Sequence, residues 1–177
     1  MFISASKSKM DALAEKGLIA EDTRRDLLNN EIVLITQGDG NLAGFQELSG
    51  SNVDKVSIGV PESVPAGRYA KEVLVSMGLW EKIQAKLVLA KDVRQVLTYV
   101  ETGNVDAGLV YSSDTVISED VKTVATAPAG SHKPIVYPIA VIKDTGQPEE
   151  AKEFIEFTSG EEAAQIFAKY GFNPLNK

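Results

Sequence analysis

Short apolar runs alternate along this chain with apolar residues at helical spacing, and the alternation predicts a series of strands and helices. Phe2-Ile3-Ser4 reads as strand, and Ser6 or Ser8 can cap a helix carrying Met10, Leu13 and Ala14 that Gly17 ends. Glu21 to Asn29 reads as a short charged helix. Glu31 to Thr36 is nearly all apolar, the pattern of a strand covered on both faces. Gln37-Gly38-Asp39-Gly40-Asn41 reads as a loop and a crossing point between lobes, with a helical turn at Phe45 to Leu48 after it. Val56 to Val60 is a strand, and Ala66, Tyr69, Ala70, Val73, Leu74 and Met77 then mark one face of a helix closed by Gly78.

Leu79 to Ile83 adds a short turn and Lys86 to Ala90 a strand. A helix opens at Asp92, keeps Val93, Val96, Leu97 and Val100 on its core face, and stops at Gly103. Val105 to Tyr111 and Val121 to Ala125 are strands, and Pro128 to Pro134 is a loop. Ile135 to Ile142 is a long extended segment in which Pro138 marks an edge or a bend. Two helices end the chain, one with Ala151, Phe154, Ile155 and Thr158 inward, the next with Ala163, Ile166, Phe167 and Tyr170.

Strands alternating with helices predict an α/β fold with a mixed, mostly parallel sheet. Residues 37–127 read as one complete α/β lobe; 1–36 and 128–177 read as pieces of a second, incomplete lobe. No internal repeat or low-complexity run interrupts this plan. The 177 residues, 44% hydrophobic and 24% charged, can bury a sizeable core. A formal charge of −7 argues against nucleic acid as a partner. It leaves anionic ligands open, because backbone amides bind anions without lysine or arginine. The absence of cysteine removes disulfides, thiolate metal sites and cysteine nucleophiles. The first residues carry no charged leader, apolar core or cleavage site, so they do not read as a signal peptide.

The chemistry suggested by the pattern lies at helix starts. Glu62 to Glu72 follows a strand and opens a helix; Pro65 suits its first turn, and Gly67 lets a ligand approach the backbone closely. Unpaired N–H groups there, with the helix dipole behind them, favour an anion. The same sequence also fits an ordinary strand-to-helix connection. At the next helix Asp92 can accept from the N–H of Arg94 or Gln95, and Gln95 can reach back, which leaves the N–H of Val93 free. Ligands of open α/β sheets collect beyond the carboxyl ends of the strands, so Ala66, Gly67 and Val93 can serve one small anion. Tyr111, at a strand end, would add a phenol; the competing reading is a half-buried tyrosine bonded to backbone.

Other candidates are weak. His132, the only histidine, sits in a loop beside Lys133 and reads as a surface residue. Ser4 to Lys7 and Ser6 to Lys9 fit Ser-x-x-Lys, but the companion elements of acyl-transfer enzymes are absent. Gly38 to Gly44 misses the dinucleotide-binding spacing by one residue. Glu119-Asp120, Glu149-Glu150 and Glu161-Glu162 read as solvated loops and helix starts. No catalytic set emerges, so no enzyme activity is expected, and no cofactor or metal cation.

Val64-Pro65-Ala66-Gly67-Arg68-Tyr69-Ala70-Lys71-Glu72, Asp92-Val93-Arg94 and Leu109-Val110-Tyr111-Ser112-Ser113-Asp114 resemble the molybdate-binding protein of the molybdate ABC transporter. So do Phe2 to Ser6 with Met10, Tyr137 to Val141, and Ala163 to Phe172, in order along the chain. The resemblance implies a two-lobed, periplasmic-binding-protein-like fold outside the cytoplasm that closes on molybdate or tungstate and delivers it to a transporter permease. It implies the backbone amides of Ala66 and Val93 and the hydroxyl of Tyr111 as ligands, with Gly67 as a further backbone contact and Arg68 at the surface. Cavity size would then exclude sulfate, and the lack of an acceptor for its proton would exclude phosphate.

Family members carry further strands and two serine-bearing turns ahead of the point that Met1 matches, and no serine here matches those ligands. The expectation is weakened or lost binding, and a homodimer formed through exposed first-lobe segments. Two alternatives remain: a self-associating fragment without a ligand, and an effector-sensing domain for another small anion.

Overall fold

The structure, a computed structural model, describes residues 1–38 and 40–175. In chain order it contains β1 (Phe2–Ile3), α1 (Lys7–Glu15), β2 (Ile19–Asn30), β3 (Ile32–Gln37), β4 (Val56–Gly59), α2 (Pro65–Ser76) and α3 (Trp80–Ile83). These are followed by β5 (Leu87–Ala90), α4 (Val93–Glu101), β6 (Ala107–Tyr111), α5 (Ser112–Thr115) and β7 (Val121–Thr126). The last elements are β8 (Ile135–Ile142), α6 (Pro148–Thr158), α7 (Glu161–Lys169) and β9 (Asn173–Pro174). The chain divides into two compact units, Met1–Asn30 with Pro134–Lys177, and Glu31–Lys133. The second extends beyond residues 37–127 at both ends. Its lower limit moves because β3 pairs with β6 and β7 and so cannot belong to the other unit.

The second unit is a five-stranded sheet of order β5-β4-β6-β3-β7. β4 runs parallel to β5 and β6, and only β3 runs against the rest. Val56 and Ile58 of β4 are fully buried, as are Leu34, Ile35, Ala107 and Leu109, so the sheet is covered on both faces. On one face α4 packs Val96, Leu97 and Val100 against Val33, Ile35, Ala90 and Val110. Gly108 makes room for this helix, since a Cβ there would lie 2.8 Å from Val100 and 2.9 Å from Val96. α2 buries Ala66, Ala70, Val73 and Leu74 and packs on β4, β6 and β3. One right-handed crossover runs outward from β4 to β5, and the next returns past β4 to β6. That reversal puts α2 and α4 on opposite faces.

The first unit holds a four-stranded antiparallel sheet of order β1-β8-β2-β9. Here the expected helix at Glu21 to Asn29 is wrong: those residues form most of β2, paired with β8 from Ile19↔Ile142 to Asn30↔Ile135. Two register shifts, between Ala20 and Arg25 and between Asp26 and Leu28, break the period of two. Thr23 and Leu27 are buried four residues apart, a spacing that one face of a strand and one face of a helix share, so it does not tell the two apart. Thr23 Oγ1 completes the irregular stretch by accepting from the Val141 N–H (2.9 Å) and donating to the Ala20 carbonyl (2.6 Å).

Pro138 occupies an interior strand, not an edge. It is paired with Asp26 beside a register shift, where a missing ladder N–H is tolerated, and its carbonyl accepts from the Ser4 N–H at 3.1 Å. Ile155, Ala151 and Phe167 pack on Leu27, Leu28, Ile139 and Val141. Phe154, Ile166 and Tyr170, expected inward, are 43%, 47% and 54% exposed.

Candidate functional site

Three adjacent parallel strands, β5, β4 and β6, end at one edge of the second sheet, and each end leads into a helix. At the end of β4 the Val60 N–H donates to the Ala90 carbonyl at 2.9 Å, which ties the β4 and β5 ends together. The chain then turns: Ser63 and Val64 donate to the Val60 carbonyl at 3.2 and 2.8 Å, and Pro65 starts α2. No side chain caps this helix. A Cβ on Gly67 would lie 2.0 Å from the Gly59 carbonyl oxygen, so the first turn of α2 sits directly against the end of β4. Only glycine permits that approach. Ala66 and Gly67 are buried, while Arg68 is exposed with its guanidinium 5.4 Å from the centre of the Tyr69 ring.

The α4 tip takes the form its sequence predicts. Asp92 Oδ1 accepts from the Gln95 N–H at 2.8 Å, and Gln95 Oε1 accepts from the Lys91 N–H at 2.8 Å. These two bonds engage the N–H groups of Lys91 and Gln95 and do not use that of Val93. Among the described residues, the N–H groups of Ala66, Gly67 and Val93 meet no protein acceptor.

Tyr111 is half-buried at the end of β6, and its N–H donates to Asp114 Oδ2 at 3.1 Å. Burial raises the Asp114 carboxyl above its ordinary value, opposed by that hydrogen bond and by the positive charge of Arg94 on the first turn of α4. The turn that carries Tyr111 and the tip that carries Val93 are therefore electrostatic neighbours. Helices α2 and α4 cover opposite faces of the sheet, yet both begin at the same edge, where divergent helix starts leave a crevice. Ala66, Gly67, Val93 and Tyr111 all belong to this edge. Sequence pattern carried Asp114 only within its motif; its signal is the three-residue spacing after a strand-end residue, the spacing of a capping box.

The remaining candidates go elsewhere. His132 Nδ1 pairs with the Lys133 carbonyl at 2.7 Å and its ring lies edge-on to Tyr69. Among the described residues no cluster of histidine and acidic side chains could hold a metal ion. A hollow of about 410 Å³ lined by Thr36, Gln37, Val53, Val105 and Asp106 lies at the amino edge of the same parallel strands. The described helices include none long and apolar enough to cross a membrane.

Residues 1–173 match the family of bacterial extracellular solute-binding proteins. The chain is 48% identical to the Bacillus subtilis lipoprotein YvgL, a proposed ABC transporter substrate-binding protein, over 97% of this chain and 66% of that one. It is 36% identical to the molybdate-binding protein ModA of Haemophilus influenzae, over 98% of this chain and 70% of that one. The fold superposes with a TM-score of 0.93 on the substrate-binding domain of a proposed molybdenum ABC transporter from Clostridium difficile. That domain is 43% identical, with 97% of this chain and 75% of that one covered. The chain thus spans about two thirds of the length of such relatives. Both the sequence and its periplasmic-binding-protein-like α/β fold place it plainly: the chain belongs to the bacterial extracellular solute-binding proteins, in the family of the ModA relatives.

Proposed function

We propose that the carboxyl edge of the second unit binds molybdate or tungstate, and that the protein works outside the cytoplasm, handing this oxyanion to an ABC transporter permease. The observation that supports this most is the set of unpaired N–H groups at Ala66, Gly67 and Val93, at the sheet edge where β6 ends in Tyr111, in a chain related to molybdate-binding proteins. Each helix tip concentrates partial positive charge. Hydrogen bonds from such donors to an ionised oxygen are about twice as strong as neutral pairs. No cationic side chain is required. Molybdate at neutral pH carries no proton and needs donors only. Protonated phosphate would have to leave its own O–H unpaired in a site without an acceptor, which costs about 1–3 kcal/mol.

Thermal unfolding with molybdate, tungstate, sulfate and phosphate tests the reading, because a ligand specific to the folded state raises the midpoint. The expected order places molybdate and tungstate above sulfate and phosphate. No shift with any oxyanion would favour a non-binding fragment; a shift with another small anion alone would favour an effector sensor. We also infer a homodimer. The first sheet ends in β1, an edge strand of only two residues, and a sheet edge is where the strand of another chain can add. Light scattering that reports a monomer at high concentration would contradict it.

A further inference from the structure

We propose that Asp114 is a positioning residue for the anion site: its carboxylate fixes the turn from β6 into α5, so that the Tyr111 phenol is held beside the α4 tip. This rests on the reading of Ala66, Val93 and Tyr111 as oxyanion donors and deepens it.

Tyr111 ends the β6 ladder opposite Ile32 and is also the residue that precedes α5, with φ −75° and ψ 151°. One residue on, the chain is still anchored, since the Ser112 N–H donates to the Glu31 carbonyl at 2.9 Å. α5 has only four residues, too few to hold a helical turn by itself. Asp114 reaches back across that turn and accepts from the Tyr111 N–H at 3.1 Å. Because the rotamer open to a side chain depends on its backbone angles, fixing the Tyr111 backbone directs its phenol.

The same carboxylate feels the Arg94 charge one residue beyond Val93, and α4 and α5 pack together. Asp114 therefore links the two parts of the site that come from different strands. A carboxylate near a bound dianion repels it. The sign of its net effect thus separates two roles: if Asp114 positions Tyr111, its removal weakens binding; if its charge dominates, removal strengthens binding.

The test titrates the ¹⁵N-labelled chain with sodium molybdate and reads the dissociation constant from amide shifts. The chains compared are wild type, D114A, D114N, Y111F and the D114A/Y111F double variant. D114A is expected to weaken binding about tenfold, of the order of one lost charge-assisted hydrogen bond. D114N keeps an acceptor oxygen without the charge and should stay within about threefold of wild type. Y111F should cost about as much as D114A, and D114A should cost almost nothing further in the Y111F background, because coupled residues are not additive. A purely structural role would give additive losses and shifts spread over the whole unit, and would overturn the proposal. D114A binding as tightly as wild type, or more tightly, would overturn it too. Should D114A fail to fold, D114S takes its place under the same criteria. Wild type showing no response to molybdate would overturn the underlying reading and this one with it; wild-type binding with D114A unchanged would overturn this one alone.

Discussion

Gly67→Ala introduces a methyl group 2.0 Å from the Gly59 carbonyl oxygen and 2.4 Å from its carbon, both of them backbone atoms at the end of β4. Non-bonded carbon contacts settle at about 3.5–4.0 Å, so the first turn of α2 must withdraw by roughly 1 Å or more. Neither partner can yield by a rotamer change. Overpacking of this kind costs ~1–3 kcal/mol. Alanine returns up to about 1 kcal/mol of helix propensity. The net expectation is a loss of about 2 kcal/mol, near the upper end because the obstacle is backbone.

That loss corresponds to a fall in Tm of about 4–8 °C. Withdrawal also carries the N–H groups of Ala66 and Gly67 from a charge-assisted distance of about 2.7–2.9 Å to near or beyond 3.5 Å, where the bond is lost. Differential scanning calorimetry with and without molybdate reads both effects: the midpoint should drop, and the molybdate-dependent rise should disappear. Gly146→Ala is the control, since a Cβ there meets nothing within 4 Å, and it should change neither quantity. A Gly67→Ala chain with wild-type midpoint and wild-type response to molybdate would refute the close approach of α2 to β4 and the donor role built on it.

Other outcomes follow from the same structure. Asp92→Ala removes the acceptor of the Gln95 N–H and should cost about 1 kcal/mol by urea unfolding. Thr23→Val leaves the Val141 N–H without its acceptor inside the β2–β8 ladder. It should cost about 1–3 kcal/mol by the same assay, and wild-type stability would argue against the irregular register. The Asp114 carboxyl is raised by burial, so the folded chain binds this proton more readily than the unfolded one. Its contribution to stability therefore improves as pH falls through the raised pKa toward the ordinary value of 3.8, and declines again as pH rises. Asp114→Asn should abolish that dependence, and the stability difference between the variant and wild type should be largest at neutral pH, in the variant's favour.

The second unit was largely legible because its local signals agree with its packing. Asp92 with Gln95 announces a capped helix, Gly78 and Gly103 stop helices with φ +66° and +67°, and Pro65 opens α2. The ends of β4, β5 and β6 fall where the apolar runs do. The first unit was less legible. β2 is strongly charged and its buried Thr23 and Leu27 stand four apart, a spacing common to strand and helix, so the long-range pairing with β8 decides what the local pattern leaves open. Of the stripes expected inward on α6 and α7, Ala151, Ile155, Thr158, Ala163 and Phe167 do face the interior, whereas Phe154, Ile166 and Tyr170 stay largely exposed. Asp114 escaped notice as a site residue because an acidic residue in a short turn has many ordinary uses; the bond to Tyr111 becomes visible only in three dimensions.

On the proposed reading, two helix tips and a phenol hold a dianion without a positive side chain. Crystals soaked in molybdate and measured across the molybdenum absorption edge locate the metal by its anomalous signal. A single peak is expected at the carboxyl edge of β4, β5 and β6, with molybdate oxygens in hydrogen-bond reach of the Ala66 and Val93 amides and the Tyr111 hydroxyl. A peak elsewhere on the chain, or one paired with a lysine or arginine side chain, would contradict it.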